Sequence, residues 1–159
     1  MLNVKLITLG TLKEAYLRDA AAEYEKRLGA FCRFELLQLK EERLSDDPSE
    51  SEIKNALSKE SEKILALIPP RAYVVAMCVE GKQLTSPELA EKLEEISART
   101  SDVCFIIGSS FGLADAVKQR ADLRLSVSKL TFPHQLMRVI LMESLYRSFT
   151  IIAGKKYHK

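Results

Sequence analysis

The sequence predicts an α/β protein of three layers, in which helices cover both faces of a mostly parallel, five-stranded sheet. Strand-like and helix-like segments alternate along the chain, which is the pattern of parallel strands joined by crossover helices. Several strand-like runs are continuously apolar, as expected for strands that are buried on both faces. A length of 159 residues suits a single domain, residues 1–159, with a core of its own.

The first half of the chain contains two predicted strands, two predicted helices and a charged, serine-rich loop. In order these are strand 3–9, helix 11–28, strand 31–39, loop 40–51 and helix 52–67. The first helix is predicted to end at Gly29 and the second at Pro69-Pro70. The apolar stripe predicted for the first helix consists of Leu12, Tyr16, Ala20, Tyr24 and Leu28.

The second half contains three more strands and three more helices. In order these are strand 72–79, turn 80–82, helix 86–99, strand 103–107, helix 113–120, strand 123–127 and helix 135–149. Ser86-Pro87 marks a helix start, because proline is favoured in the first turn of a helix. A basic tail ends the chain.

The last predicted helix is apolar on more than one side. Its main apolar face is formed by Val139, Leu141, Met142, Leu145, Tyr146 and Phe149, and three more apolar residues, Leu136, Met137 and Ile140, lie outside that face. Such a helix is buried on more than one side. We therefore expect a second subunit to cover it, which predicts a homodimer. Arg138 lies within the main face and requires a partner, either a structural carboxylate or a substrate phosphate.

Charge is unevenly distributed along the sequence. Residues 1–117 carry 15 Lys and Arg against 20 Asp and Glu, whereas residues 118–159 carry 9 against 2. The C-terminal segment is therefore basic, and the rest of the chain is acidic. Solvated surface lysines would explain this pattern, but the positive charge adjoins the candidate ligand loops, which favours a polyanion such as RNA as partner.

The composition also indicates a location and excludes some classes of protein. No apolar run is long enough to span a bilayer, and the N-terminus lacks the order of a signal peptide. Cys32, Cys78 and Cys104 lie in strand-like runs, which predicts buried, reduced thiols in a cytoplasmic protein. With two histidines and no Cys-x-x-Cys pair, we expect no metal site.

Two segments have the composition of ligand-binding turns. The apolar strand before Gly108 breaks into Gly108-Ser109-Ser110-Phe111-Gly112, and Thr131-Phe132-Pro133-His134 leads into the last helix. Free N–H groups at a helix start suit a polar or anionic ligand. Each segment alone is also compatible with a plain turn or helix start. Together, at the ends of parallel strands, they favour one shared crevice.

These turns belong to a wider set of segments that resembles a known family. The matching segments are 9–14, 23–29, 107–113, 126–135 and 157–159. The run Thr-Phe-Pro-His-Gln-Leu-Met-Arg at 131–138 and the terminal Tyr-His-Lys are the most specific. In these segments and in length, the chain is similar to the ribosomal RNA large subunit methyltransferase H family of the SPOUT superfamily.

The resemblance implies a C-terminal deep trefoil knot, a homodimer, and S-adenosylmethionine bound in the knot. It also implies methylation of N3 of a pseudouridine in helix 69 of the large-subunit rRNA, in assembled 70S ribosomes. The implied cofactor contacts are Met77, Gly108, Val127, Ser128, Lys129, Leu130, Thr131 and Phe132. Ser109 and Met77 depart from the glycine and leucine usual in the family, and Ser109 then requires a negative φ.

The implied reaction needs an aligned acceptor nitrogen and a way to remove its proton. Only His134 and His158 ordinarily titrate near neutral pH. His134 follows Pro133 at a helix start, which favours a structural or capping role, although it lies near the cofactor loop. We interpret His158 as the candidate proton acceptor, with a frayed terminus as the alternative.

The tail supplies most of the candidate RNA contacts. Lysines suit phosphates, and an aromatic ring suits an unstacked base. The candidate RNA-binding residues are Arg138, Lys155, Lys156, Tyr157 and Lys159. We expect the tail to become ordered only on the ribosome. Two rival functions remain, a non-catalytic ribosome-binding or assembly factor and a small enzyme that uses another nucleotide, and binding of S-adenosylmethionine distinguishes them.

Overall fold

A five-stranded sheet, parallel throughout, forms the middle layer of the molecule. The computed structural model describes residues 1–159. The elements are β1 Asn3–Leu9, α1 Ala15–Leu28, β2 Arg33–Leu39, α2 Glu50–Leu67, β3 Tyr73–Gln83, α3 Ser86–Arg99, β4 Asp102–Ile107, α4 Asp115–Arg120, β5 Leu123–Ser126 and α5 His134–Ile152. The strand order across the sheet is β2-β1-β4-β3-β5. The predicted α/β class is confirmed.

The central strand β4 shows why the sheet has a helical layer on each face. Its side chains alternate between the faces, as in any strand. Val103, Phe105 and Ile107 pack into an apolar cluster with α1, α3 and α5, whereas Cys104 and Ile106 pack into a second cluster with α2 and α4. Because both faces are covered, β4 is apolar from Val103 to Ile107 and does not alternate.

The helices α2 and α3 begin at matching local signals. In each, a hydroxyl accepts a hydrogen bond from the backbone three residues on, and the glutamate there accepts one from the backbone N–H of the cap. Ser49 and Glu52 form this capping box in α2, and Thr85 and Glu88 form it in α3. Helix α3 begins as predicted, whereas α2 begins at Glu50, inside the predicted loop 40–51.

The prediction for α1 is wrong in its start and wrong for Tyr16 in its stripe, whereas Leu12 and Leu28 of that stripe are buried. The helix begins at Ala15, and the side chain of Tyr16 is 69% exposed. Its buried residues are Leu17, Ala21 and Leu28. A helix has 3.6 residues per turn, so each step of four residues goes about 40° beyond a full turn. Residues at a strict four-residue spacing therefore drift off the buried face. Gly29 caps the helix with a right-handed φ of −58°, not with the left-handed one expected of a glycine stop.

The predicted turn at 80–82 is also wrong, because β3 continues through it to Gln83. Met77 and Lys82 both pair with Leu125, so the chain bulges between them. A β-carbon at Gly81 would lie 2.8 Å from the backbone carbonyl of Arg124. Glycine is therefore required there by the close approach of the two strands. The strand that pairs with β3 here, β5, ends at Ser126.

All three cysteines are buried free thiols, as predicted. Cys78 and Cys104 lie in strands, but Cys32 lies in the turn before β2. Burial raises the pKa of Cys32 to about 12 and that of Cys104 to about 11, so both thiols are protonated at neutral pH. None of the helices combines the length and apolar character needed to cross a membrane.

Candidate active site

A cavity of about 540 Å³, the main cavity, lies at the carboxyl ends of β4 and β5, beside the middle of β3. Three segments surround it: residues 77–79, residues 107–112, and residues 125–134 with Met137 of α5. Carboxyl ends of parallel strands are where open α/β sheets bind ligands. The structure thus brings the two predicted ligand turns together in one crevice.

Seven of the eight residues implied as cofactor contacts line the main cavity. These are Met77, Gly108, Val127, Ser128, Leu130, Thr131 and Phe132. Lys129 belongs to the same loop but does not line the cavity. The loop 127–133 joins β5 to α5, and Leu130 within it is 72% exposed.

The loop 127–133 leaves most of its backbone without hydrogen-bond partners in the protein. The N–H of Leu130 donates to Ser128 Oγ at 3.0 Å, and no other N–H between residues 127 and 132 donates within the chain. The Ser126 hydroxyl holds the base of the loop by donating to the carbonyl of Ser128 at 2.9 Å. Free backbone donors beside a cavity are suited to a polar ligand.

The turn from Gly108 to Gly112 closes tightly on itself. The N–H of Gly112 donates to the carbonyl of Ser109 at 2.9 Å, and Gly112 has a φ of +86°. A β-carbon at Gly108 would collide with the carbonyl of Gly112. The space that Gly108 leaves is therefore filled by the turn itself.

Ser109 connects this turn to helix α2. No residue other than glycine has a positive φ, so the requirement that φ of Ser109 be negative is met. Its hydroxyl donates to Glu60 Oε1 at 3.1 Å, and Oε2 of the same carboxylate accepts from the N–H of Glu42 at 3.0 Å. Glu60 is 3% exposed, and burial raises the pKa of its carboxyl group.

His134 is the first residue of α5 and lines the main cavity. Its Nε2 lies 3.2 Å from Oε1 of Glu41, a residue of the loop after β2. The distance is that of an ion pair, but the geometry is not that of a hydrogen bond, since Oε1 is buried and accepts none. Of the two roles favoured for His134, structural or capping, the capping role is wrong, because its side chain bonds no backbone group. Nothing in the sequence pairs position 41 with position 134, so Glu41 was missed.

Arg138 is buried, as its position in the apolar face predicted, and no carboxylate pairs with it. Its guanidinium donates to Gln38 Oε1 at 2.9 Å and to the carbonyl of Gly10 at 3.0 Å, and Nε has no partner. Burial lowers its pKa, but arginine remains charged in proteins. With 1% of its surface exposed, Arg138 cannot touch an RNA phosphate in this position.

The C-terminal tail is folded against α5. The ring of Tyr157 packs edge-on against Tyr146 at 4.8 Å, and its hydroxyl donates to Glu143 at 3.2 Å. Arg147 covers that ring at 4.7 Å and lies 3.3 Å from Nδ1 of His158. The expectation that the tail is ordered only on the ribosome is therefore wrong. Burial raises the pKa of Tyr157 to about 12, so its phenol is neutral at physiological pH.

The tail and the main cavity lie at opposite ends of α5. The helix has 19 residues, which at 1.5 Å per residue separates its ends by about 28 Å. Within one chain, the structure does not bring Lys155, Lys156, Tyr157, His158 or Lys159 to the main cavity. Lys155 instead lies 4.8 Å from the ring of Phe31.

A second cavity of about 360 Å³ adjoins the main one. It lies between the loop after β2 and helix α2, and Glu41, Glu60 and Phe111 are among the residues that line it. Ser109 and Ser110 line both cavities. The turn 108–112 therefore forms the boundary between them. No three His, Cys, Asp or Glu side chains are grouped so as to hold a metal ion.

Comparison with known proteins decides the family. A family model described as "Predicted SPOUT methyltransferase" matches residues 2–158. The chain belongs to the SPOUT methyltransferase family. The resemblance and the expected enzyme class, a methyltransferase, are both confirmed.

Relatives with high identity cover this SPOUT methyltransferase from end to end. It is 52% identical to the ribosomal RNA large subunit methyltransferase H of Streptococcus thermophilus, over 99% of this chain and 100% of that protein. It is 47% identical, with the same coverage, to the protein of that name from Bacillus pumilus.

Two solved structures share its fold at low sequence identity. One is a probable methylase family protein from Haemophilus influenzae, with a TM-score of 0.54 and 16% identity, covering 99% of this chain and 71% of that one. The other is a ribosomal RNA small subunit methyltransferase E from Neisseria gonorrhoeae bound to S-adenosyl methionine. For that structure the TM-score is 0.53 and the identity 12%, covering 91% of this chain and 65% of that one.

Proposed function

We propose that this SPOUT methyltransferase transfers a methyl group from S-adenosylmethionine to N3 of a pseudouridine in helix 69 of the large-subunit rRNA, in assembled 70S ribosomes. The observation that carries the proposal is the convergence of Met77, Gly108 and the loop 127–132 on one cavity at the strand ends. The names of the full-length relatives support the large ribosomal subunit as substrate. A ribosomal substrate also implies a cytoplasmic location.

The residues around the main cavity fit S-adenosylmethionine. A volume of about 540 Å³ lies within the range of small-molecule sites. The unpaired backbone groups of the loop 127–132 are suited to the polar edge of an adenine ring, and Met77, Leu130 and Phe132 supply apolar walls. When bound, the cofactor supplies an electrophilic methyl group on a sulfonium. We propose no contact between the Lys129 side chain and the cofactor, because Lys129 does not line the main cavity.

The C-terminal part of the chain is proposed to form the deep trefoil knot of the family. The strand order supports this, because β5 lies outside β3 at one edge of the sheet. From that edge the chain returns through the loop 127–133 to α5, which packs between α1 and α3.

The two apolar clusters share this one sheet, which supports a single domain spanning residues 1–159.

A homodimer is proposed as the active species. Leu136 and Ile152 on α5 are each 37% exposed, and Tyr16 on the neighbouring α1 is 69% exposed. Exposed apolar residues on adjacent helices are typical of a subunit interface. The separation of the tail from the main cavity of its own chain also points to a partner. We assign the tail, with His158, Tyr157 and the three lysines, to the substrate site of the opposite protomer.

The test has a binding arm and a reaction arm. Calorimetry should show that S-adenosylmethionine binds the protein, and ribosomes from a strain lacking it should acquire one methyl group in helix 69. Binding without transfer would overturn the proposed substrate but not the cofactor. Ribosome binding without cofactor binding would instead favour a non-catalytic assembly factor.

A further inference from the structure

His134 is the histidine of this chain that combines a carboxylate partner with a place in the main cavity. The other histidine, His158, lies beside Arg147 at the far end of α5. Glu41, the partner of His134, lines the second cavity. The pair therefore spans the boundary between the two cavities.

We propose that His134, positioned by Glu41, accepts the proton of the acceptor nitrogen during methyl transfer. The inference rests on the proposed function and names the proton acceptor at the same site. It replaces His158 in that role and leaves the tail with RNA binding. His134 is the catalytic residue, because it contacts the acceptor, and Glu41 acts through it as a positioning residue.

The two ring nitrogens of His134 have different surroundings. Nε2 lies 3.2 Å from Glu41 Oε1, although no hydrogen bond joins the two atoms. The side chain is 24% exposed and lines the main cavity, so a ligand there can reach the imidazole ring. A hydrogen bond from Nε2–H to the carboxylate would fix the proton on Nε2 and leave Nδ1 as the base.

Local electrostatics explain why His134 requires the carboxylate. It is the first residue of α5, where the positive end of the helix dipole opposes a charged imidazolium, and the first turn of α5 contains no acidic residue. Glu41 is the group that offsets this effect. Its Oε1 is buried without a hydrogen bond. A hydrogen bond here requires the ring to reorient, and catalytic hydrogen bonds commonly tighten when substrate binds.

The proposed step balances in atoms and electrons. The N3–H bond of the acceptor breaks, and its proton passes to Nδ1 of His134. The nitrogen lone pair forms a bond to the methyl carbon while the bond from that carbon to sulfur breaks. The sulfur keeps the electron pair and leaves as a neutral thioether. The imidazolium is stabilised by Glu41 until its proton passes to water.

The kinetic test uses three variants, His134→Gln, Glu41→Gln and Glu35→Gln. Glu35, on β2, pairs with Lys5 of β1. It lies away from both cavities and is the matched control for a paired carboxylate. We expect His134→Gln to lower kcat by about 100-fold or more, as removal of a general base does. Glu41→Gln should show a smaller loss of kcat, and Glu35→Gln none. Dissociation constants for S-adenosylmethionine should stay within about threefold of wild type.

A spectroscopic test does not depend on activity. With only two histidines in the chain, nitrogen NMR can resolve the tautomer of each ring. The inference requires neutral His134 to carry its proton on Nε2, and Glu41→Gln to weaken that preference. A proton on Nδ1 in the wild-type protein overturns the inference. Full activity in His134→Gln overturns it as well, whereas absence of transfer by the wild-type protein overturns the proposed function and the inference together.

Discussion

A β-carbon at Gly108 would lie 2.5 Å from the carbonyl carbon of Gly112. The two glycines therefore have different roles in one turn. Gly108 lets the backbone approach closely, whereas Gly112 supplies a φ of +86° in open space. The shape of the turn between the two cavities depends on both.

Alanine at each glycine should separate these roles. We expect Gly108→Ala to cost about 1–3 kcal/mol of unfolding free energy through overpacking, and to weaken cofactor binding because the turn must shift. Gly112→Ala should cost about 1–2 kcal/mol through the left-handed φ alone. Gly154→Ala, with a φ of +66° far from the cavity, is the control. Urea unfolding and calorimetry measure both effects, and normal cofactor affinity in Gly108→Ala would contradict this account of the turn.

Glu60 should make stability depend on pH. Burial raises the pKa of the Glu60 carboxyl in the folded state. The contribution of Glu60 to the free energy of unfolding is therefore fully present below the pKa of an unfolded glutamate, about 4.3, and is lost as the pH rises through the higher pKa of the folded state. Glu60→Gln keeps polar partners for Ser109 and the N–H of Glu42 without the buried charge. We expect a higher Tm than wild type at pH 7 and no difference near pH 4.

Glu62→Gln is the control for this experiment, because Glu62 is exposed on the same helix. It should leave Tm unchanged at both pH values. A lower Tm for Glu60→Gln at pH 7 would show that the hydrogen bonds to Ser109 and Glu42 outweigh the burial of the charge.

A charge on the outer side of α5 should break the proposed dimer. Ile140 is partly buried in the single chain and lies outside the main apolar face. Ile140→Glu is expected to give monomers or aggregates and to lose activity, since an interface cannot bury an unpaired carboxylate. Light scattering measures the mass. Phe111→Glu, at a residue 46% exposed beside the second cavity, should remain dimeric, and a monomeric wild type at micromolar concentration would refute the dimer.

The tail should serve the cavity of the opposite protomer. A chain ending at Gly154 should bind S-adenosylmethionine normally and fail to methylate ribosomes. Mixed dimers of that chain with Gly108→Val, a tail-bearing chain whose cavity is disrupted, should recover activity. In each such dimer the truncated chain supplies the intact cavity and the Gly108→Val chain supplies the tail. If the tail acted within its own chain, no mixed dimer would be active.

How far sequence reasoning reaches can be seen at particular residues. The apolar run of β4 predicts a doubly covered strand, because burial on both faces removes alternation. Arg138 was correctly placed in the apolar face of α5, but its partners Gln38 and Gly10 come from distant parts of the chain. The pairing of Glu41 with His134 likewise depends on tertiary structure, and no local pattern reports it.

The tail shows the opposite limit. Terminal basic residues ordinarily fray, so sequence reasoning expected disorder in the isolated chain. Tyr157 instead finds an aromatic neighbour, Tyr146, and a carboxylate, Glu143, on the last helix. These contacts are compatible with the sequence, but only the path of the chain after Ile152 creates them.

Methylation of pseudouridine N3 in helix 69 can be measured directly. Ribosomes from a strain lacking the protein would be incubated with it and with S-adenosylmethionine carrying an isotopically labelled methyl group, and the helix 69 fragment would be analysed by mass spectrometry. We predict one labelled methyl group on N3 of a pseudouridine in that fragment, with 70S ribosomes as substrate and no label from boiled protein. Label on a different nucleotide, or none in the fragment despite measured cofactor binding, would contradict it.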